Sequence, residues 1–176
     1  MSDAFTFSPA VIWLTGLSGA GKTTIAQALK ELLQHQGITP VLLDGDEIRK
    51  AIQLTSFDEE SRRQHNLKVG DMASALEAEN KIVIVALISP YADIRNIIRQ
   101  QCKRFVEVYV ATDINTCIER DPKGLYKKAI SGEIKDFTGI SAPYFPPEHP
   151  ELIIDTTQLS PAASAQQILA IINCKA

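Results

Sequence analysis

A chain of 176 residues, 45% hydrophobic and 22% charged, has the mix of an ordinary globular protein, and folded as one domain it buries about 70% of the surface its unfolded form exposes. A net charge of −3 argues against a basic field for nucleic acid. The cysteines Cys102, Cys117 and Cys174, odd in number and without C-x-x-C spacing, argue against a disulfide framework or a zinc site and suit packing in a reducing cytoplasm.

The longest apolar run, Ile82 to Ile88, is far short of the roughly 18 residues a membrane span needs, so no membrane partner is expected. Asp3 stands where a signal peptide would carry basic residues. Residues 1–10 lack periodicity and read as an arm before the first strand, Val11 to Thr15. Gly16-Leu17-Ser18-Gly19-Ala20-Gly21-Lys22-Thr23 then satisfies G-x-x-x-x-G-K-S/T, and Thr24 to Gln36 follows with Ile25, Ala28, Leu29, Leu32 and Leu33 at helical spacing. Strand, glycine-rich loop and helix N-terminus together make a cradle whose backbone N–H groups point at an anion. Lys22 adds a positive charge for the β- and γ-phosphates, and Thr23 a hydroxyl for Mg²⁺.

Gly37 is a C-terminal stop, and Val41 to Leu43 forms a second strand ending at Asp44-Gly45-Asp46. In an open α/β sheet the carboxyl ends of strands are where ligands bind, which puts Asp44 and Asp46 near the cradle. A short helix with Ile48 and Ile52 and a loop around Thr55 to Phe57 come next. Asp58 to Asn80 is a longer helix, with Arg62, Arg63 and Lys68 either a solvated face or a binding cluster.

Lys81 to Ile88 is the most apolar strand, expected at the sheet centre, and Pro90 takes the chain out of the sheet. A helix through Ile94, Ile97 and Ile98, a fourth strand from Phe105 to Val110 and a basic helical flap from Arg120 to Ala129 follow. Ile134 to Pro150 reads as loop, Leu152 to Asp155 as a fifth strand and Pro161 to Asn173 as a closing helix. The alternation implies an α/β fold in one domain: a doubly wound, mostly parallel sheet of about five strands flanked by helices, with residues 120–150 as lid and substrate loop.

The phosphate loop implies a nucleoside triphosphate but not a reaction. A guanine-reading N-K-x-D is lacking, since Asn80-Lys81-Ile82 is followed by Val83. An acid at a neighbouring strand end and cations across from the γ-phosphate are what a small-molecule kinase requires. At this point the sequence resembles the adenylylsulfate kinases, P-loop kinases that use ATP to phosphorylate the 3′-hydroxyl of adenosine 5′-phosphosulfate. Gly16 to Thr24 matches the family's G-L-S-G-A/S-G-K-S/T-T, Leu43 to Asp46 with Arg49 its L-D-G-D-x-x-R, and Ile88 to Tyr91 with Arg95 its I-S-P-Y segment. Phe105 to Val110, Arg120 to Ala129 and Phe137 to Ile140 followed by Pro143-Tyr144 continue the match, which runs from about Val11 to Pro147.

The resemblance implies ATP and Mg²⁺ as cofactors, with Gly16, Leu17, Ser18, Gly19, Ala20, Gly21, Lys22, Thr23 and Thr24 around the nucleotide and Thr23 and Asp44 at the metal. It implies Lys22, Asp46 and Ser89 as catalytic, the serine being a phosphoserine in some members. Asp46 stands near the acceptor hydroxyl, Arg49 and Arg62 on the phosphosulfate, and Phe57 and Phe137 around the adenine, with His65, Ile88, Ser89 and Lys123 completing the acceptor site. It also implies a cytoplasmic homodimer whose product serves sulfate assimilation or sulfation. On residue type alone, Phe57 and Phe137 also suit a core, Asp46 a helix cap and Ser89 a strand-end hydrogen bond.

Two departures fall on the acceptor side. The family's D-R-x-x-N reads Ser61-Arg62-Arg63-Gln64-His65 here, and the loop before Phe57 lacks the usual G-F-S and is about one residue shorter. A kinase of the same build acting on another nucleotide-like acceptor, and a non-catalytic nucleotide-binding regulator, are therefore the competing expectations. Retention of Lys22, Asp46 and Arg49 argues against the regulator.

Overall fold

The computed structural model describes residues 7–173; Cys174 and the first six residues of the expected arm lie outside them. The strands are β1 (Ala10–Thr15), β2 (Val41–Asp44), β3 (Ile82–Ala86), β4 (Phe105–Val110) and β5 (Leu152–Ile154). The helices are α1 (Lys22–His35), α2 (Gly45–Ala51), α3 (Glu59–Ala78), α4 (Ala92–Gln101), α5 (Ile114–Arg120), α6 (Leu125–Ile130) and α7 (Pro161–Asn173). All the strand pairs are parallel, in the order β2-β3-β1-β4-β5.

The apolar strands of this sheet are covered on both faces. Ile12 and Leu14 of β1 point into a cluster with Ile25, Leu29 and Leu33 of α1 and Ile168 of α7, whereas Val11 and Trp13 point into one with Val69 of α3 and Ile94 and Ile98 of α4. Every residue of β1 and β3 is buried. The expectation that Lys81 to Ile88 is the central strand is corrected: β1 holds the centre and β3 lies beside it. With helices on both faces, first- and second-rank strands are equally apolar, so composition does not separate them.

Two local features complete the frame. Glu107 of β4 is 6% exposed and accepts from Arg95 Nε at 2.8 Å and Arg99 Nη2 at 3.0 Å. The segment after β4 contains α5, capped by Asp113, whose carboxylate accepts from Thr116 N at 3.1 Å.

The connection leaving β1 runs toward β2 and the one leaving β3 runs toward β4, so the sheet switches direction between adjacent strands β1 and β3. The crevice beyond their carboxyl ends is the expected ligand position. Residues 16–22 after β1, Asp44 to Asp46 after β2 and Ile88 to Pro90 after β3 all emerge there.

Candidate active site

Gly19 and Gly21 of the phosphate loop take φ of 75° and 106°, a left-handed region that residues with a Cβ enter only at a cost. Successive carbonyls of the loop are each tied. Lys22 Nζ donates to Gly16 O at 2.9 Å and Leu17 O at 2.7 Å, and the Tyr126 hydroxyl donates to Ser18 O at 2.8 Å. Arg120 Nη1 reaches Gly19 O at 3.4 Å, and the Thr112 and Thr156 hydroxyls each donate to Ala20 O at 2.9 Å. A trans peptide points its N–H opposite to its C=O, so tying the Ser18 and Ala20 carbonyls turns the Gly19 and Gly21 amides away from those partners, while Ala20 N closes the loop's own turn on Leu17 O at 3.2 Å. Burial holds the Lys22 ammonium down at about 8, against the raising effect of Asp46. An anion in the cradle would favour the charged form and raise that value again.

Asp44 joins this loop to α2. One carboxylate oxygen accepts from Thr23 Oγ1 at 3.1 Å, and the other caps α2 by accepting from Asp46 N at 2.9 Å and Glu47 N at 3.3 Å. The cap residue is thus Asp44, which leaves the Asp46 side chain free for another role. Asp46 forms an ion pair with Lys123, from the turn between α5 and α6, and both side chains are more than half exposed, at 62% and 56%. Burial pushes the Asp46 carboxyl up, but the hydrogen bond and charge of Lys123, with Lys22 behind it, hold it below the usual carboxylate range.

Arg49 donates to Ser56 O at 2.6 Å and lies over the Phe57 ring, 4.5 Å from its centroid. Phe57 is 58% exposed, so it is not a core residue. Phe137 is half-buried, edge-on to Tyr126 with ring centroids 5.0 Å apart. Arg62 donates to the Tyr91 hydroxyl at 3.1 Å and to the Asp136 carbonyl, linking α3 to the loop before Phe137. Arg63 pairs with Glu59 and Asp93 and lies over the Tyr91 ring, 4.3 Å from its centroid.

Two expected site residues are placed differently from the rest. Ser89 is 1% exposed, with φ 53°, and its Oγ accepts from the Trp13 indole at 3.1 Å. Its carbonyl accepts from buried Arg95 at 2.6 Å, while the neighbouring Ile88 carbonyl accepts from Thr15 Oγ1 at 2.7 Å. These bonds make Ser89 a hydrogen-bonding residue just beyond the end of β3. His65 is 2% exposed, its Nε2 is 3.0 Å from Gly45 O, and burial, with the Arg49 charge nearby, keeps its protonation below the ordinary range.

The residues missed by sequence reasoning are those that tie the loop: Thr112, Arg120, Tyr126 and Thr156. Thr112 and Thr156 lie just beyond the ends of β4 and β5, a position that marks polar side chains for the ligand edge of the sheet. Metal-binding donors fit Mg²⁺: the Thr23 hydroxyl and Asp44 carboxylate are adjacent oxygens, a partial set that phosphates and water would complete.

Comparison with known proteins bears on the same region. The adenylylsulphate kinase family model matches residues 8–155. An adenylyl-sulfate kinase of Bacillus pumilus is 45% identical over 169 residues, covering 94% of this chain and 86% of the relative. A probable adenylyl-sulfate kinase of Pyrococcus abyssi is 46% identical over 159 residues, covering 90% and 91%. The solved Mycobacterium tuberculosis APS kinase in complex with AMPPNP and APS superimposes with a TM-score of 0.89 at 34% identity, over 95% of this chain and 99% of that one. With the family model spanning most of its length and these relatives covering nearly all of it, the chain belongs to the adenylylsulphate kinase family.

Proposed function

We propose that this chain transfers the γ-phosphoryl group of ATP to the 3′-hydroxyl of adenosine 5′-phosphosulfate, with the cradle of Gly16 to Thr24 as donor site and α2, Phe57, Arg62, Lys123 and Phe137 as acceptor site. The observation that carries the assignment is the Asp46–Lys123 pair beside Lys22: a carboxylate kept ionised, at the carboxyl edge of the sheet, masked only by an exposed lysine. An exposed pair of this kind is worth at most about 1 kcal/mol, so an anionic substrate can draw Lys123 away.

In the reaction, Lys22 leaves the Gly16 and Leu17 carbonyls for the phosphates, and Asp46 accepts the proton of the 3′-hydroxyl. The new O–P bond forms as the bond to the ADP oxygen breaks, in line, and Lys22 and Lys123 offset the charge on the moving group. Mg²⁺, held on Thr23 and Asp44 oxygens, would neutralise charge on the β- and γ-phosphates. Arg49 and Arg62 suit the phosphosulfate because a guanidinium fork matches a tetrahedral oxyanion, and the exposed Phe57 face and the Phe137 edge suit an adenine. In-line transfer needs no covalent enzyme intermediate, and Ser89, buried under Trp13, is assigned to support the turn rather than carry phosphate.

The chain is further proposed to work as a cytoplasmic homodimer. The cysteines among the described residues are free, and burial pushes the Cys102 thiol up to about 12, which suits a reducing compartment. Light scattering at working concentration checks the dimer. The reaction is tested by incubation with ATP and adenosine 5′-phosphosulfate, with both products measured by mass: 3′-phosphoadenosine 5′-phosphosulfate equimolar with ADP is expected. ADP release without that product, or faster turnover on another acceptor in a nucleotide panel, contradicts the assignment.

A further inference from the structure

The acceptor-side helix α2 has little of its own to hold it. It is seven residues long, Gly45 is its one fully buried residue, and Ile48 is only half-buried against the core. Yet it carries Asp46 and Arg49. Gly45 is seated tightly, since a Cβ there would overlap the Leu87 side chain beyond β3. From the α3 side, His65 Nε2 stands 3.0 Å from the Gly45 carbonyl. A carbonyl only accepts, so Nε2 carries the proton, and in the neutral ring Nδ1 is a bare acceptor; it is buried and has no hydrogen-bond partner among the described residues.

We infer that His65 is the positioning residue of the acceptor site: its Nε2–H holds the Gly45 carbonyl and thereby sets where α2 presents Asp46 and Arg49, without touching the substrate. Asp44 and Thr23 anchor the same helix end from the nucleotide side, so the first turn of α2 is pinned from both halves of the site. Burial and the Arg49 charge oppose protonation of the ring, while the Nε2–H bond to Gly45 O is available whether or not Nδ1 is protonated.

The length of the side chain provides the test. Counted in bonds from Cα, the terminal amide of glutamine coincides with Nε2 of histidine, while that of asparagine coincides with Nδ1. His65→Gln therefore keeps a donor at Gly45 O, and His65→Asn and His65→Leu remove it. The inference takes its acceptor from the function proposed above, so it is read in two ways. In steady-state kinetics with adenosine 5′-phosphosulfate, Asn and Leu are expected to lose about tenfold in acceptor kcat/KM with the KM for ATP unchanged, and Gln to stay near the parent. In hydrogen exchange of the free protein, which needs no substrate, the α2 amides of Asn and Leu should exchange about tenfold faster than those of the parent and Gln.

Glutamine as impaired as leucine, unchanged α2 exchange in both Asn and Leu, or a KM for ATP that rises in step would overturn it. If His65→Leu does not fold, the Gln and Asn pair decides. A parent protein inactive on the acceptor would count against the proposed function, and the exchange result would still decide the role of His65.

Discussion

The two halves of the site are built to different standards. On the nucleotide side, the loop from the fully buried β1 into α1 has its carbonyls fastened by Lys22, Thr112, Arg120, Tyr126 and Thr156, contributed by α1, by α5 and α6 and by the segments after β4 and β5. On the acceptor side, Asp46, Phe57 and Lys123 are exposed, and their contacts are an ion pair and a cation–π pair at the surface. Apart from Lys22, which in the proposed reaction trades its carbonyl partners for phosphate, the donor loop is held by bonds that need no ligand, which is what electrostatic stabilisation of a moving phosphoryl group requires. The acceptor half holds its charges against one another, and under the proposed function it exchanges those partners for substrate.

The largest effects should come from the two groups facing the transferred phosphoryl. Lys22→Ala and Asp46→Asn are each expected to retain the fold and lose about 10²–10⁴ in kcat, measured by product formation with circular dichroism as the control. Near-normal kcat in Asp46→Asn would remove the base from the account.

Next come the aromatic residues, which separate the two halves by their packing. Phe57→Ala, at an exposed face, should raise the acceptor KM by the equivalent of about 1–3 kcal/mol and leave Tm unchanged. Phe137→Ala should raise the acceptor KM and also lower Tm, because it removes an edge contact with buried Tyr126. Equal Tm losses in the two variants would contradict the contrast.

A smaller effect is expected from the loop ties. Thr156→Val and Tyr126→Phe each remove one hydroxyl donor, so each should weaken ATP binding by about 0.5–1.5 kcal/mol without changing the acceptor KM. Calorimetry with AMPPNP reads this directly.

The smallest concerns protons. Lys22 is held at about 8 in the free protein against an ordinary 10.5, so between those values the unfolded chain binds more protons than the folded one. Stability contributed through Lys22 therefore rises with pH across that window, the burial penalty standing in full below about 8. Nucleotide binding near pH 8 should draw a fraction of a proton onto the protein, seen as buffer-dependent heat that is lost in Lys22→Ala.

The same contrast governs what was legible in the sequence. The phosphate loop, Asp44 and Asp46 could be read because the chemistry demands particular residue types at fixed spacing after a strand. Thr112, Tyr126 and Thr156 could not, since their common target is a backbone carbonyl of a loop distant in sequence, and only the sheet order brings them there. Glu107 sits in an otherwise apolar strand, and its partners Arg95 and Arg99 belong to the preceding helix, so its burial between them is set by packing and not by spacing. Ser89 and His65 carry the residue types of a reactive group, and only the fold shows that both are buried, with Ser89 Oγ against the Trp13 indole and His65 Nε2 against Gly45 O.

The division into a preformed donor half and a substrate-completed acceptor half is tested most directly by the AMPPNP affinity of an Arg49→Ala/Phe57→Ala/Arg62→Ala triple variant. The account predicts a Kd within about twofold of the parent, as for uncoupled sites, while acceptor kcat/KM falls by more than about a hundredfold. An AMPPNP affinity that falls together with acceptor turnover would show that the halves are one coupled structure and contradict the account.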